Sequence, residues 1–177
     1  MEFRNLRPDE IECRVQSVKQ NGCSILLFKD ARCDMRILDE TVGPENWQKE
    51  FYECKGTLFC RVGIRLHRMN PHDTMEPYDE WVWKSDAGEP SNTSAQKGEA
   101  SDAFKRACFN WSIGRELYSA PFLWIPESAC RIQSARGKYV CYDDFSVADM
   151  SVKDGKITYL KIVNETLHRV CYERGRK

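Results

Sequence analysis

Polar and apolar residues alternate most regularly in "NWQKEFYECKGTLFCRVGIRLH", residues 46 to 67. Trp47, Lys49 and Phe51 alternate with Gln48, Glu50 and Tyr52; further on, Leu58, Cys60, Val62, Ile64 and Leu66 alternate with Phe59, Arg61, Gly63, Arg65 and His67. A period of two is that of a strand with one face covered, and Lys55-Gly56 supplies a turn between two such strands. The second strand shows one apolar face and one face carrying two arginines. "YDEWVWKSDAG" (78–88) reads as a third strand, after a loop holding Pro71 and Pro77. Upstream, "CSILLFKD" (23–30) reads as a strand, and residues 8–20 as either a short helix or a strand. In 31–43 the spacing of Met35, Leu38 and Val42 is helical, and Gly43-Pro44 stops the helix.

The longest helical pattern lies in "KGEASDAFKRACFNWSIGRELY" (97–118). Ala100, Ala103, Phe104, Ala107, Cys108 and Trp111 form an apolar stripe, with Lys105 and Arg106 flanking it on opposite sides and Gly114 ending or loosening the helix. From residue 126 on, short alternating segments surround Asp154-Gly155, a hairpin signal, and the chain closes on "RGRK". The order predicts an α+β fold with a largely antiparallel sheet: a helix, three strands, a long helix, then a small C-terminal β appendage.

Composition narrows the picture. The 177 residues suit one domain with a small appendage. Lys plus Arg equals Asp plus Glu, 27 each, so net charge draws the chain to no polyanion and any such role needs local sorting of charge. Nine cysteines occur without a Cys-x-x-Cys pair, the N-terminus lacks a signal-like apolar core, and "ILLF" is far too short for a bilayer. Free thiols in a reducing cytoplasm are the expectation.

Several chemistries lack their signature. There is no Gly-x-x-x-x-Gly-Lys-Ser/Thr loop for a nucleotide and no Gly-x-Gly-x-x-Gly. The histidines, His67, His72 and His168, form no compact zinc motif, although Cys54, Cys60, His67 and His72 are an imaginable site. Asp73, Glu76, Asp79 and Glu80 cluster as a metal-dependent nuclease would require. A Cys–His nucleophile pair stays open, with no residue singled out.

The positive evidence is a distribution of cations. Arg61 and Arg65 share one strand face, extended by His67 and Arg68, while Lys97, Lys105 and Arg106 lie on the long helix. If the helix packs across the three strands, both sets border one groove. Such a groove holds a single strand by its phosphates, and aromatic side chains stack bases. The plainer alternative is a set of solvated surface ion pairs. Among the five tryptophans, Trp111 belongs to the apolar stripe, whereas Trp81 and Trp83 share one strand face.

"GPENWQKEF" before the strand hairpin, and "SDAFKRA" ending in an aromatic-x-Ile-Gly, resemble the single-strand annealing proteins of the Rad fifty-two type, including phage and prophage versions; the resemblance covers roughly residues 8–125. It implies a β-β-β-α core over residues 1–125, with 126–177 as a small β-rich extension. It implies ATP-independent binding of single-stranded DNA and annealing of complementary strands in recombination and repair, without enzymatic activity or cofactor. It implies a homo-oligomeric ring or helical filament in the cytoplasm of a bacterium or phage-infected host, with a single-strand binding protein or an exonuclease as further partners and no membrane. The family's helix lysine falls on Lys105, the neighbouring arginine on Arg106, an earlier basic residue on Lys97 and an N-terminal arginine on Arg14 in "EIECRVQS"; Arg61 and Arg65 are added from strand alternation. One turn after Lys105, where the family carries another cation, Phe109 stands. Two alternatives compete with annealing: the Asp73/Glu76/Asp79/Glu80 nuclease, and a structural oligomerisation module without DNA affinity.

Overall fold

The computed structural model describes residues 1–69, 76–89 and 95–176. Among the described residues the class is α+β, with two α-helices and antiparallel strands. In chain order the elements are β1 (Glu12–Lys19), β2 (Gly22–Phe28), α1 (Ala31–Val42), β3 (Trp47–Cys54), β4 (Thr57–Met69), β5 (Pro77–Ala87), α2 (Ala95–Asn110), β6 (Leu123–Pro126), β7 (Gln133–Ala135), β8 (Lys138–Val140), β9 (Phe145–Lys153), β10 (Lys156–Asn164) and β11 (Arg169–Gly175). Two compact units emerge: Met1–Arg4 with Ala31–Ile113, and Asn5–Asp30 with Gly114–Lys177.

The first unit holds α1, α2 and a three-stranded sheet of order β3-β4-β5. Lys55 and Gly56 both take positive φ, 52° and 75°, as a two-residue turn twisted to match its flanking strands requires. The register then pairs Phe51 with Cys60 and Trp47 with Ile64. Because side chains alternate across a sheet, Cys60, Val62 and Ile64 share one face, and each is fully buried. Against that face lies the stripe of α2: Ala103, Ala107 and Cys108 are 0% exposed and Phe104 1%. The Trp111 indole N–H donates to the Val62 carbonyl at 2.9 Å. Fully burying a side chain the size of Phe104, Val62 or Ile64 contributes roughly 1.5–3 kcal/mol, so the helix is anchored by packing rather than by propensity. Gly88, just past β5, lies close against α2: a Cβ there would meet the Glu99 carbonyl at 2.2 Å.

The second unit is a six-stranded sheet of order β11-β10-β9-β1-β2-β6, with β7 and β8 as a separate hairpin. Residues 8–20, open between helix and strand in the sequence, form a short 3-10 turn (Pro8–Glu10) and β1. The ambiguity has a cause. A register shift between Val15 and Ser17 lets Cys13, Val15 and Val18 all be half-buried, breaking the period of two.

The small β appendage expected after residue 126 takes a different form. Its strands join a sheet begun by β1 and β2: Glu12 of β1 pairs with Ser146 of β9, and Cys23 of β2 with Ile125 of β6. Alternation identifies a strand but not its neighbour, so this pairing was not legible from periodicity. Asp154-Gly155 does form the expected turn between β9 and β10, with φ of 53° and 70°.

Candidate nucleic-acid interface

Within the first unit, α2 carries three of the six candidate cations. Its core-facing side is fixed by the stripe on β4, which sets the direction of everything else on the helix. Arg106 leans toward β5, its Nε 3.4 Å from Asp86 Oδ1. Asn110 Nδ2 reaches the same carboxylate at 3.3 Å and the Ser85 carbonyl at 3.0 Å. Lys105 is the preceding residue, so it projects roughly 100° away around the helix axis. It is half-buried, and among the described residues no carboxylate pairs with it. Lys97, exposed near the start of α2, likewise has no ion pair among the described residues.

Two further lysines border the helix, and the sequence reading passed over both. Lys84 of β5 donates to the Asn110 carbonyl at 2.9 Å and lies 4.5 Å from the centre of the Trp111 ring. Lys49 of β3 stands 4.4 Å over the Phe104 ring, which also stacks with Trp47 at 6.2 Å. Both sit on the α2 side of the sheet, as Lys49↔Val62 and Val62↔Lys84 pair in register. The signal that would have found them is the alternation itself. Lys49 and Lys84 occupy positions in phase with the apolar residues.

Arg61 and Arg65 lie elsewhere. They alternate with Cys60, Val62 and Ile64, so they occupy the sheet face turned away from α2. The groove shared by strand arginines and helix lysines is therefore not formed by α2 packing on the sheet. Arg61 donates through Nε and Nη2 to Glu50 Oε2 at 2.8 and 2.5 Å, and its guanidinium lies 4.5 Å from the Trp83 ring centre. Trp83 in turn stacks with Trp81 at 6.1 Å. Gly63 makes this ladder possible: a Cβ there would lie 2.8 Å from the Trp83 ring. Arg65 donates to Asn46 Oδ1 at 2.9 and 2.6 Å, with Asp79 at 3.9 Å. Both arginines thus have partners within their own unit.

Arg14 belongs to the second unit. It is exposed on β1, its guanidinium 4.8 Å from the centre of the Phe28 ring.

Among the described residues of the expected nuclease cluster, Asp79 and Glu80 do not converge. Asp79 and Glu80 are adjacent in β5, so their side chains leave opposite faces of the sheet. Asp79 pairs with His67 at 2.5 Å, and Glu80 with Arg68. Asp73 lies outside the described residues. The imagined Cys54/Cys60/His67/His72 site fails similarly: Cys60 is buried under α2, His67 points to the other face, and His72 lies outside the described residues. All nine cysteines are free thiols. Burial pushes Cys13 up to about 12, and Cys60 and Cys171 to about 11, so these three are protonated at neutral pH and unsuited to nucleophilic attack. No helix among the described residues is long and apolar enough to cross a membrane.

Compared with known proteins, no curated protein matches the chain. The family model described as "Rad52/22 family double-strand break repair protein" matches residues 3–134. That span covers both helices, the three-stranded sheet, β1, β2 and β6, and it contains all six candidate cations. Matched by that model over most of its length, the chain belongs to the Rad52/22 family of double-strand break repair proteins.

Proposed function

We propose that the protein binds single-stranded DNA through its phosphates and anneals complementary strands without nucleotide hydrolysis, working as a homo-oligomer. The observation that carries this reading is Lys105: a half-buried cation with no carboxylate partner among the described residues, on a helix held rigidly by its opposite face. A lysine ordered by its helix yet unneutralised is suited to a polyanion, and binding releases counterions from the strand. Arg106, Lys97, Lys49 and Lys84 extend the basic character around the same helix and its sheet. Backbone contacts of this kind carry no sequence preference and leave base edges available for pairing.

The family membership supports the same reading, since annealing is characteristic of Rad52-type proteins. Arg14, Arg61 and Arg65 are proposed as secondary contacts. For the two arginines on β4, a bound phosphate would have to compete with Glu50 and with Asn46 and Asp79. Their expected effect on binding is therefore smaller than that of Lys105.

The test is a strand-annealing reaction without ATP and without divalent metal, using two complementary labelled oligonucleotides. Duplex formation accelerated by the protein, and weakened by Lys105→Ala, supports the proposal. No acceleration, or cleavage of the strands when magnesium is added, overturns it.

A further inference from the structure

The second unit gathers three thiols, Cys23 lying more than a hundred residues from the other two. Cys23 lies on β2, Cys130 follows the 3-10 turn Glu127–Ala129 after β6, and Cys141 follows β8. The β2–β6 register brings Cys23 opposite Ile125 and so beside Cys130. The sulfurs of Cys23 and Cys130 are 3.9 Å apart, and the three Sγ atoms all lie within 4.8 Å of one another. Cys23 and Cys130 are 0% and 4% exposed, while Cys141 is half-buried.

This spacing has a specific chemical meaning. Zinc–thiolate bonds of about 2.3 Å at tetrahedral angles place ligand sulfurs roughly 3.8 Å apart. The Cys23–Cys130 pair already meets that separation, and the third sulfur needs a shift of about 1 Å at most. Buried thiols also pack merely as small apolar groups, but the backbone around Cys130 and just beyond Cys141 is pinned by polar contacts that such packing does not need. The Asp143 carboxylate, 1% exposed, accepts from the Arg131 backbone N–H at 2.8 Å, from Arg131 Nε at 2.9 Å and from Asn164 Nδ2 at 2.8 Å. Asn164 Nδ2 also donates to the Ala129 carbonyl at 3.1 Å. These bonds hold the residues on either side of Cys130 and tie them to the segment two residues beyond Cys141. A hollow lined by Gln20, Glu127, Ser128, Cys130 and Arg131 opens onto Cys130 and offers an entry path.

We propose that Cys23, Cys130 and Cys141 form a tris-thiolate zinc site that clamps β2, the end of β6 and the segment after β8. Soft thiolates select zinc over magnesium or calcium. Each cysteine enters as a thiolate, so three protons pass to solvent as the ion binds, and a water molecule from the hollow completes the tetrahedron. The single S–H of Cys130, within reach of the Ile125 and Pro126 carbonyls at 3.7 and 3.4 Å, gives up that contact. The role is structural and independent of the DNA-binding proposal.

The full chain, kept reduced with a phosphine and stripped by chelator dialysis, is titrated with zinc and separately with cobalt. The expected result is one ion per chain, a thiolate-to-cobalt charge-transfer band, and a higher thermal midpoint with zinc. Cys141→Ser, the least buried change, is expected to weaken zinc binding by more than about 100-fold, and Cys54→Ser, exposed on β3, to leave it unchanged. Alkylation of the wild-type chain with and without zinc, mapped by mass spectrometry, needs no variant to fold. Protection of Cys23, Cys130 and Cys141 supports the site. A reduced, folded wild-type chain that takes up no zinc, zinc protection of other cysteines instead, or undiminished binding by Cys141→Ser would each overturn it.

Discussion

Lys105→Ala probes the phosphate grip directly. The lysine lies off the apolar stripe of α2 and pairs with no carboxylate among the described residues, so its removal opens no cavity and strands no charge. Fold stability is then expected to change by no more than about 0.5 kcal/mol. Its effect on DNA is separable because each phosphate contact to a single strand adds about 0.7 to the slope of log affinity against log salt. One lost contact therefore lowers the slope by ~0.7 and, at about 0.1 M salt, weakens binding roughly fivefold, or ~1 kcal/mol. Arg106→Ala is expected to do less, because Arg106 is already partly neutralised by Asp86 at 3.4 Å. The assay is fluorescence anisotropy of a labelled oligothymidylate across a salt series, with a circular dichroism melt as a control on folding. Lys105→Arg, which keeps the charge, is expected to keep the slope. A folded Lys105→Ala chain with an unchanged slope and affinity would refute the assignment of α2 to the DNA.

Three other perturbations test the architecture. Phe104→Ala removes a side chain that is 1% exposed and carries both Trp47 and Lys49 on its ring; the expected loss in a denaturant titration is about 3–5 kcal/mol. Gly63→Val places a side chain where a Cβ would lie 2.8 Å from the Trp83 ring, so the indole must move off Arg61; a changed tryptophan emission and a loss of roughly 1–3 kcal/mol are expected, and unchanged values would contradict the ladder. Asp143 is buried, which opposes its charge, yet bonds from Asn164 and Arg131 hold its pKa below the ordinary carboxylate value; its stabilising effect is therefore complete above about pH 4–5 and fades as pH falls through the lowered folded value. Asp143→Asn should remove that acid-side dependence in thermal melts run across the pH range, and an identical pH profile in the variant would count against it.

What the sequence determined by itself was local. The alternation over 47–66, the Lys55-Gly56 and Asp154-Gly155 turns, the α1 stop at Gly43 and the stripe of α2 all depend on neighbours within a turn or a pleat, and all reappear in the structure. The placement of Lys105 and Arg106 on opposite flanks of the stripe follows from helical geometry, and Arg106 duly reaches toward β5. Tertiary structure decided what periodicity leaves free: which strands pair, and which side chains from distant segments meet. Only the register shows that Arg61 and Arg65 face away from α2 while Lys49 and Lys84 face its side. Likewise β9 joins β1 across more than a hundred residues, and three cysteines with no motif converge within 4.8 Å. The physical reason is common to all of these. A period fixes the face on which a residue lies, whereas partners across a sheet are chosen by the burial and hydrogen bonding of the whole chain.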